Sequence, residues 1–149
     1  MFDEIIEYFS IEKTEELNDG IFKFYVQKNK IKEVLNHLKN QPEFSFDILL
    51  SITAMDNSEV FEISYILYST QTDNNIVIAT VISREDPIID SVCEIFSSAN
   101  WDEREIYDLF GVTFVLHPNL KRLLMPKDWV GHPLRKDYEL SDERLAWNK

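Results

Sequence analysis

Three apolar runs joined by short polar links limit most strongly what this chain can become. Residues 46–55 (FDILLSITAM), 60–69 (VFEISYILYS) and 75–83 (NIVIATVIS) are rich in β-branched and aromatic residues. The links Asp56-Asn57-Ser58 and Thr72-Asp73-Asn74 are short and polar, so the runs are expected to form an antiparallel meander. The second run alternates, with Phe61, Ile63, Tyr65 and Leu67 on one face and Glu62 and Ser64 on the other. The first is apolar on both faces, the pattern of a central strand.

The flanks add helices and one more strand. Residues 2–9 have Ile5, Ile6 and Phe9 on one side and predict a short amphipathic helix. Asn18-Asp19-Gly20 signals a turn into a strand over 21–27. Residues 28–40 carry a stripe of Ile31, Val34, Leu35 and Leu38, a helix that Gln41-Pro42 ends. Pro87 predicts the start of a helix reaching about Ser98, with Asp86 as its cap. A second helix is expected over 102–110, where Asp102 and Glu105 have capping-box spacing and Arg104 and Asp108 stand at i,i+4. Gly111 is placed as its left-handed stop. The order α-β-α-β-β-β-α-α predicts an α+β fold, a two-layer sandwich with a mixed sheet and helices on one face. At 149 residues the chain is one domain's worth, divided into a core over 1–111 and an extended C-terminal arm over 112–149.

Charge and composition exclude several functions. The net charge is −12, against the basic surface that nucleic-acid binding needs. The balance is uneven: residues 1–116 hold 8 basic and 22 acidic groups, whereas 117–138 hold 5 basic and 2 acidic. A cationic arm on an acidic body suits an anionic partner surface. A single cysteine, Cys93, precludes an internal disulfide and fits a reducing compartment. The first residues are acidic where a secretory signal is basic, and no apolar run is long enough to span a bilayer, so the chain is expected to face the cytosol and meet a membrane only through another protein. With three glycines and neither GxGxxG nor GxxxxGK[ST], no phosphate-binding loop is present. His117 and His132 lie fifteen positions apart, His37 is far upstream and Cys93 stands alone in an expected apolar helix. No zinc or iron–sulfur ligand spacing emerges, and Cys93 reads as a small buried hydrophobe. The acids Asp102, Glu103, Glu105 and Asp108 read as capping and ion-pairing groups rather than a catalytic pair.

The segment from Trp101 to Tyr138 is the most specific. It contains Glu103-Arg104-Glu105 followed by Asp108-Leu109-Phe110-Gly111, then His117-Pro118 with Leu120, Arg122, Leu123 and Leu124, then Asp128, Trp129, Gly131, Pro133, Leu134, Arg135, Lys136, Asp137 and Tyr138. Spelled as E-R-E-x-x-D-L-F-G, H-P-x-L-x-R-L-L and D-W-x-G-x-P-L-R-K-D-[YF], these blocks resemble the signature of a respiratory complex I family, the 30 kDa (C-type) subunit of NADH:quinone oxidoreductase. Weaker similarity runs back through Asp86-Pro87 to Ile52-Thr53-Ala54-Met55-Asp56, covering about two-thirds of the chain. Leu116 departs from the glycine many relatives carry before His-Pro, and Glu139 from their proline.

The resemblance implies a peripheral-arm subunit with no catalytic, cofactor-binding or metal-binding residue of its own. NADH, FMN, iron–sulfur clusters and quinone then belong to the implied complex. It also implies that the arm packs against the quinone-site (D-like) partner and neighbouring iron–sulfur subunits, on the cytoplasmic face of the membrane. The signature residues are the expected interface, with Trp129 as an anchor and Arg135 paired to a partner carboxylate. A membrane-bound energy-converting hydrogenase, or a ferredoxin-fed relative of complex I, would use an equivalent subunit.

Overall fold

The computed structural model describes residues 2–9, 11, 13–17 and 20–139. Helix α1 (Phe2–Phe9) buries Ile5, and Ile6 and Phe9 pack against the core. The expected Asn18-Asp19 turn lies outside the described residues, although Gly20 adopts the left-handed φ of 75° that such a turn needs. A 3-10 turn (Lys28–Lys30) leads into α2 (Ile31–Asn40), whose buried residues are Ile31, Val34, Leu35 and Leu38, the predicted stripe.

Strands β1 (Lys13–Glu16), β2 (Phe22–Tyr25), β3 (Ile48–Asp56), β4 (Val60–Ser69) and β5 (Asn74–Ser83) form one sheet in the order β1-β2-β5-β4-β3. The β3-β4-β5 meander is antiparallel as expected, and β2 runs parallel to β5, which makes the sheet mixed. Phe61, Ile63, Tyr65 and Leu67 of β4 join α1 and α2 in the core. The opposite face carries polar side chains over β2 and β4: Lys23 pairs with Glu62, and the single Tyr25 O–H lies within reach of Glu15 at 3.1 Å and Glu62 at 3.2 Å. Strand β1 was not predicted, because Lys13-Thr14-Glu15-Glu16 has no apolar alternation; its register against β2 is supported by Lys13 lying over the Tyr25 ring.

Three expectations are overturned. Strand β3 is an edge strand, not a central one. Leu49 and Ile52 face the core while Ile48, Leu50 and Met55 are exposed, and on the strand's outer edge the Asp102 carboxylate accepts the Ile52 N–H at 2.7 Å. The helix expected from Pro87 to Ser98 does not form. Instead β6 (Ile88–Asp90) pairs in parallel with β7 (Thr113–Val115), and a single turn at Val92–Phe96 follows, closed by Ile95 and Phe96 N–H on the Val92 carbonyl. That pairing spans more than twenty residues and leaves no local periodicity. Finally, α3 (Ala99–Phe110) starts three residues before Asp102, so the carboxylate expected as a cap serves β3 instead.

Candidate partner-binding site

Helix α3 is the spine of the site. Its last carbonyls need partners from outside the helix, and the arm supplies them. Gly111 N–H donates to Tyr107 O at 2.9 Å. Asp108 O accepts from Arg122 Nη1 at 3.1 Å and lies 2.9 Å from His132 Nδ1. Leu134 N–H donates to Leu109 O at 3.0 Å, and Arg135 Nε to Phe110 O at 2.6 Å. Two guanidinium groups therefore sit at the negative end of the helix dipole. Gly111 holds φ at 77°, and a β-carbon there would come 2.6 Å from the His132 ring, so both conformation and space require glycine.

Asp108 is fully buried. One carboxylate oxygen accepts the successive N–H groups of Leu123, Leu124 and Met125 at 2.9, 2.7 and 2.8 Å; the other accepts Arg122 Nη1 at 2.7 Å. Burial pushes its pKa up, but the Met125 N–H, the Arg122 guanidinium and the other two N–H groups outweigh that and hold it below the usual value. Arg122 continues to the carbonyls of Trp129 and Gly131, both at 2.9 Å. Arg104 donates to the carbonyls of Lys121 and Arg122 and lies over the Trp101 ring. The expected Arg104–Asp108 pair is thus replaced by Asp108–Arg122. A turn's spacing on a helix is outweighed by a loop brought back onto it.

The arm's far end is clipped to the sheet. Arg84 forms a two-point pair with Asp56, both contacts at 2.9 Å, and reaches Asp137 at 2.5 Å. Asp56 also accepts the Lys136 N–H at 2.9 Å. Burial raises the Asp56 pKa, but Arg84 and the N–H groups of Lys136 and Ser58 lower it more, to about 2. Arg84 and Arg135 both stack on Phe61. Arg84 was missed by sequence reasoning; its one signal is that it is the sole basic residue between Lys39 and Arg104.

The proline-broken stretch therefore lies on its own chain. Trp129, expected as a partner anchor, is only 8% exposed, and Arg135 is engaged by Phe110 and Phe61 within the chain. Of the other signature residues, Glu103 and Arg104 are buried, Leu120 packs against the core, and a β-carbon on Gly131, whose φ is 84°, would come 2.8 Å from the Tyr138 ring. Pro133 is half-buried, whereas Glu105, Pro118, Asp128, Leu134, Lys136 and Asp137 are exposed. Leu116, Leu124 and Val130 are also exposed, at 76, 61 and 84%, as are Lys121 and Lys127.

Cys93, Glu103 and His117, far apart in sequence, come together, with one possible ligand atom of each within 4.8 Å of the others. Cys93 lies in the turn after β6, not in a helix. A Cys, Glu and His set has the chemistry of a zinc site. Its present hydrogen bonding is of another kind: Glu103 accepts the Val92 N–H at 2.7 Å and the Cys93 thiol at 3.4 Å. His117 Nδ1 accepts the Asn119 N–H at 2.9 Å, so its proton sits on Nε2, facing the Asn100 carbonyl at 3.1 Å. A metal at Nε2 would leave Nδ1 protonated against another N–H. Burial raises the pKa of both Glu103 and Cys93, the latter to about 11.

Comparison with known proteins agrees with the signature. Residues 24–144 match the family model of the respiratory-chain NADH dehydrogenase 30 kDa subunit. The C-type subunit of NADH-quinone oxidoreductase from Roseiflexus sp. (strain RS-1) is 36% identical over 131 residues, covering 86% of this chain and 75% of that one. Its Trichlorobacter lovleyi counterpart is 43% identical over 119 residues, covering 77% and 72%. A combined C/D-type subunit of Buchnera aphidicola is 35% identical over 124 residues, which are 76% of this chain and 22% of that one. Among solved structures, the trypsin-resistant fragment (1–134) of Nqo5 superposes with a TM-score of 0.70 at 27% identity, covering 80% of this chain and 96% of that one. A chain of an archaeal membrane-bound sulfane sulfur reductase shares the fold, with a TM-score of 0.73 at 24% identity and coverage of 94% and 84%.

Proposed function

Since the chain belongs to the 30 kDa subunit family of the respiratory-chain NADH dehydrogenase, we propose that it is a peripheral-arm subunit of a proton-translocating NADH:quinone oxidoreductase that packs against and supports the quinone-site subunit. It holds no cofactor, works on the cytoplasmic face of the membrane, and leaves NADH, FMN, iron–sulfur clusters and quinone to its neighbours. No helix among the described residues is long and apolar enough to cross a membrane, in keeping with attachment through other subunits.

The observation that carries this reading is the arm's construction. Asp108 and Arg122 fix its backbone from within, and Leu116, Leu124 and Val130 are left exposed, as are Lys121 and Lys127 of the same arm. A pre-organised arm that exposes apolar and cationic side chains loses little entropy on docking and suits an apolar, acidic protein surface. The Buchnera relative, whose name joins the C and D types in one protein, supports a D-like neighbour. Within this reading the signature residues divide into a buried frame and an exposed contact face, and the Cys93–Glu103–His117 group is part of the frame.

The test is Leu124→Asp with Val130→Asp, two exposed changes that leave the frame intact. Assembled complex and total quinone reductase activity should fall together, with activity per assembled complex near wild type. Unchanged assembly would remove the arm from the interface. Full assembly with collapsed turnover would give this chain a chemical role and end the scaffold reading.

A further inference from the structure

Among the described residues, one group of side chains converges with metal-ligand chemistry: Cys93 from the turn after β6, Glu103 from α3 and His117 from the start of the arm. Cys93 Sγ lies 3.4 Å and His117 Nε2 4.0 Å from the same Glu103 oxygen, and the three ligand atoms fall within 4.8 Å of one another. A tetrahedral zinc ion holds thiolate, imidazole and carboxylate ligand atoms about 3.3 to 3.6 Å apart. One contact already has that length, and modest side-chain rotations close the others. The Glu103 and His117 side chains have no exposed surface, whereas Cys93 is partly exposed and gives an ion a way in.

Charge and ligand type select the ion. Thiolate and carboxylate together carry two negative charges, so a divalent ion leaves the site neutral where an uncompensated charge is costly. Binding displaces one proton, that of the Cys93 thiol. Calcium and magnesium take six or more oxygen ligands, and here Glu103 is the one side chain of the three that offers oxygen. The exchange costs two hydrogen bonds of His117. Its proton moves from Nε2 to Nδ1, so the Asn119 N–H loses its acceptor and turns to water, which the exposure of Asn119 allows. The Asn100 carbonyl that Nε2 now faces belongs to α3, whose own ladder supplies another N–H. The Val92 N–H stays on the second Glu103 oxygen, which the ion does not need.

We propose that Cys93, Glu103 and His117 form a reversible site for a thiophilic divalent cation of the zinc class, which when occupied ties the turn after β6, α3 and the start of the arm together. The hydrogen-bonded arrangement is complete without the ion, which is therefore a removable clamp and not a cofactor. None of the three ligands is among the exposed side chains assigned to docking, so the two readings can fail separately.

The experiment uses the full untagged chain, freed of metal by a chelator, with cobalt(II) as the probe and zinc as the competitor. One equivalent of cobalt should produce a thiolate-to-metal charge-transfer absorption, which one equivalent of zinc removes and excess calcium leaves unchanged. Cys93→Ser should abolish the band. His117→Gln should weaken zinc binding at least about tenfold, the loss usual even for residues one step removed from a metal. In the wild-type chain, zinc should shift the Asn119 amide resonance with the stoichiometry of the cobalt band, because that N–H gives up His117 Nδ1. No charge-transfer band at one equivalent, displacement by calcium, or an unchanged affinity in His117→Gln overturns the proposal. So does an Asn119 amide that saturating zinc does not move, a readout that needs no variant.

Discussion

The Asp108 carboxylate takes four hydrogen bonds at a place where it has no exposed surface. Removing it takes the carboxylate partner from Arg122 and the acceptor from three backbone N–H groups, so Asp108→Ala should cost about 3 kcal/mol or more in urea unfolding. A loss under about 1 kcal/mol would mean that the arm is not organised through this residue. Leu116 makes the opposite case. It holds φ at 63° with its side chain 76% exposed. A left-handed backbone costs a residue with a β-carbon about 1 to 2 kcal/mol, more than the roughly 0.5 to 1 kcal/mol that glycine's extra freedom takes back. Leu116→Gly should therefore leave the melting temperature unchanged or slightly higher. A clear fall would show that the leucine side chain contributes to the fold.

At the scale of elements, α3 and the arm form one unit, because the helix's last carbonyls are completed by Arg122, Leu134 and Arg135. The clip to the sheet adds a pH dependence. Asp56 has a folded pKa of about 2, below the ordinary value of about 3.9, so its stabilisation is fully present above the ordinary value and is lost as pH falls through 2. Wild-type stability should drop between about pH 4 and pH 2. Asp56→Asn should be less stable at neutral pH and show a shallower drop over that window, followed by urea unfolding at several pH values. Equal slopes in the two proteins would remove Asp56 from the acid response.

For the whole molecule, the acidic body and cationic arm face are two surfaces with different tasks. Long-range charge chiefly speeds encounter and is screened by salt, whereas apolar contact sets how long a complex lasts. Lys121→Glu combined with Lys127→Glu should slow incorporation into the complex, most at low ionic strength. Leu124→Asp should shorten its residence at any salt. Incorporation kinetics in mixtures of labelled protein and depleted complex separate the two. A salt-independent effect of the lysine changes would refute the electrostatic assignment.

The amino-acid sequence alone was enough for whatever local pattern encodes. The β3-β4-β5 meander, the stripe of α2 and the left-handed stop at Gly111 follow from alternation, helical spacing and a backbone only glycine adopts easily. The signature from Trp101 to Tyr138 was legible as a unit, and with it the family. What it holds together was not legible. Proline and apolar residues say that a stretch must lie on something, but whether that is a partner or its own helix depends on where the chain returns. Only the tertiary structure turned Trp129 and Arg135 inward and gave Asp108 to Arg122 rather than Arg104. It also moved β3 to the edge and brought Cys93, Glu103 and His117 within reach of one another. These contacts join residues 10 to 80 positions apart, and each follows from an unsatisfied helix end, a free strand edge or a buried charge. Such demands belong to assembled elements, so no local window of sequence displays them.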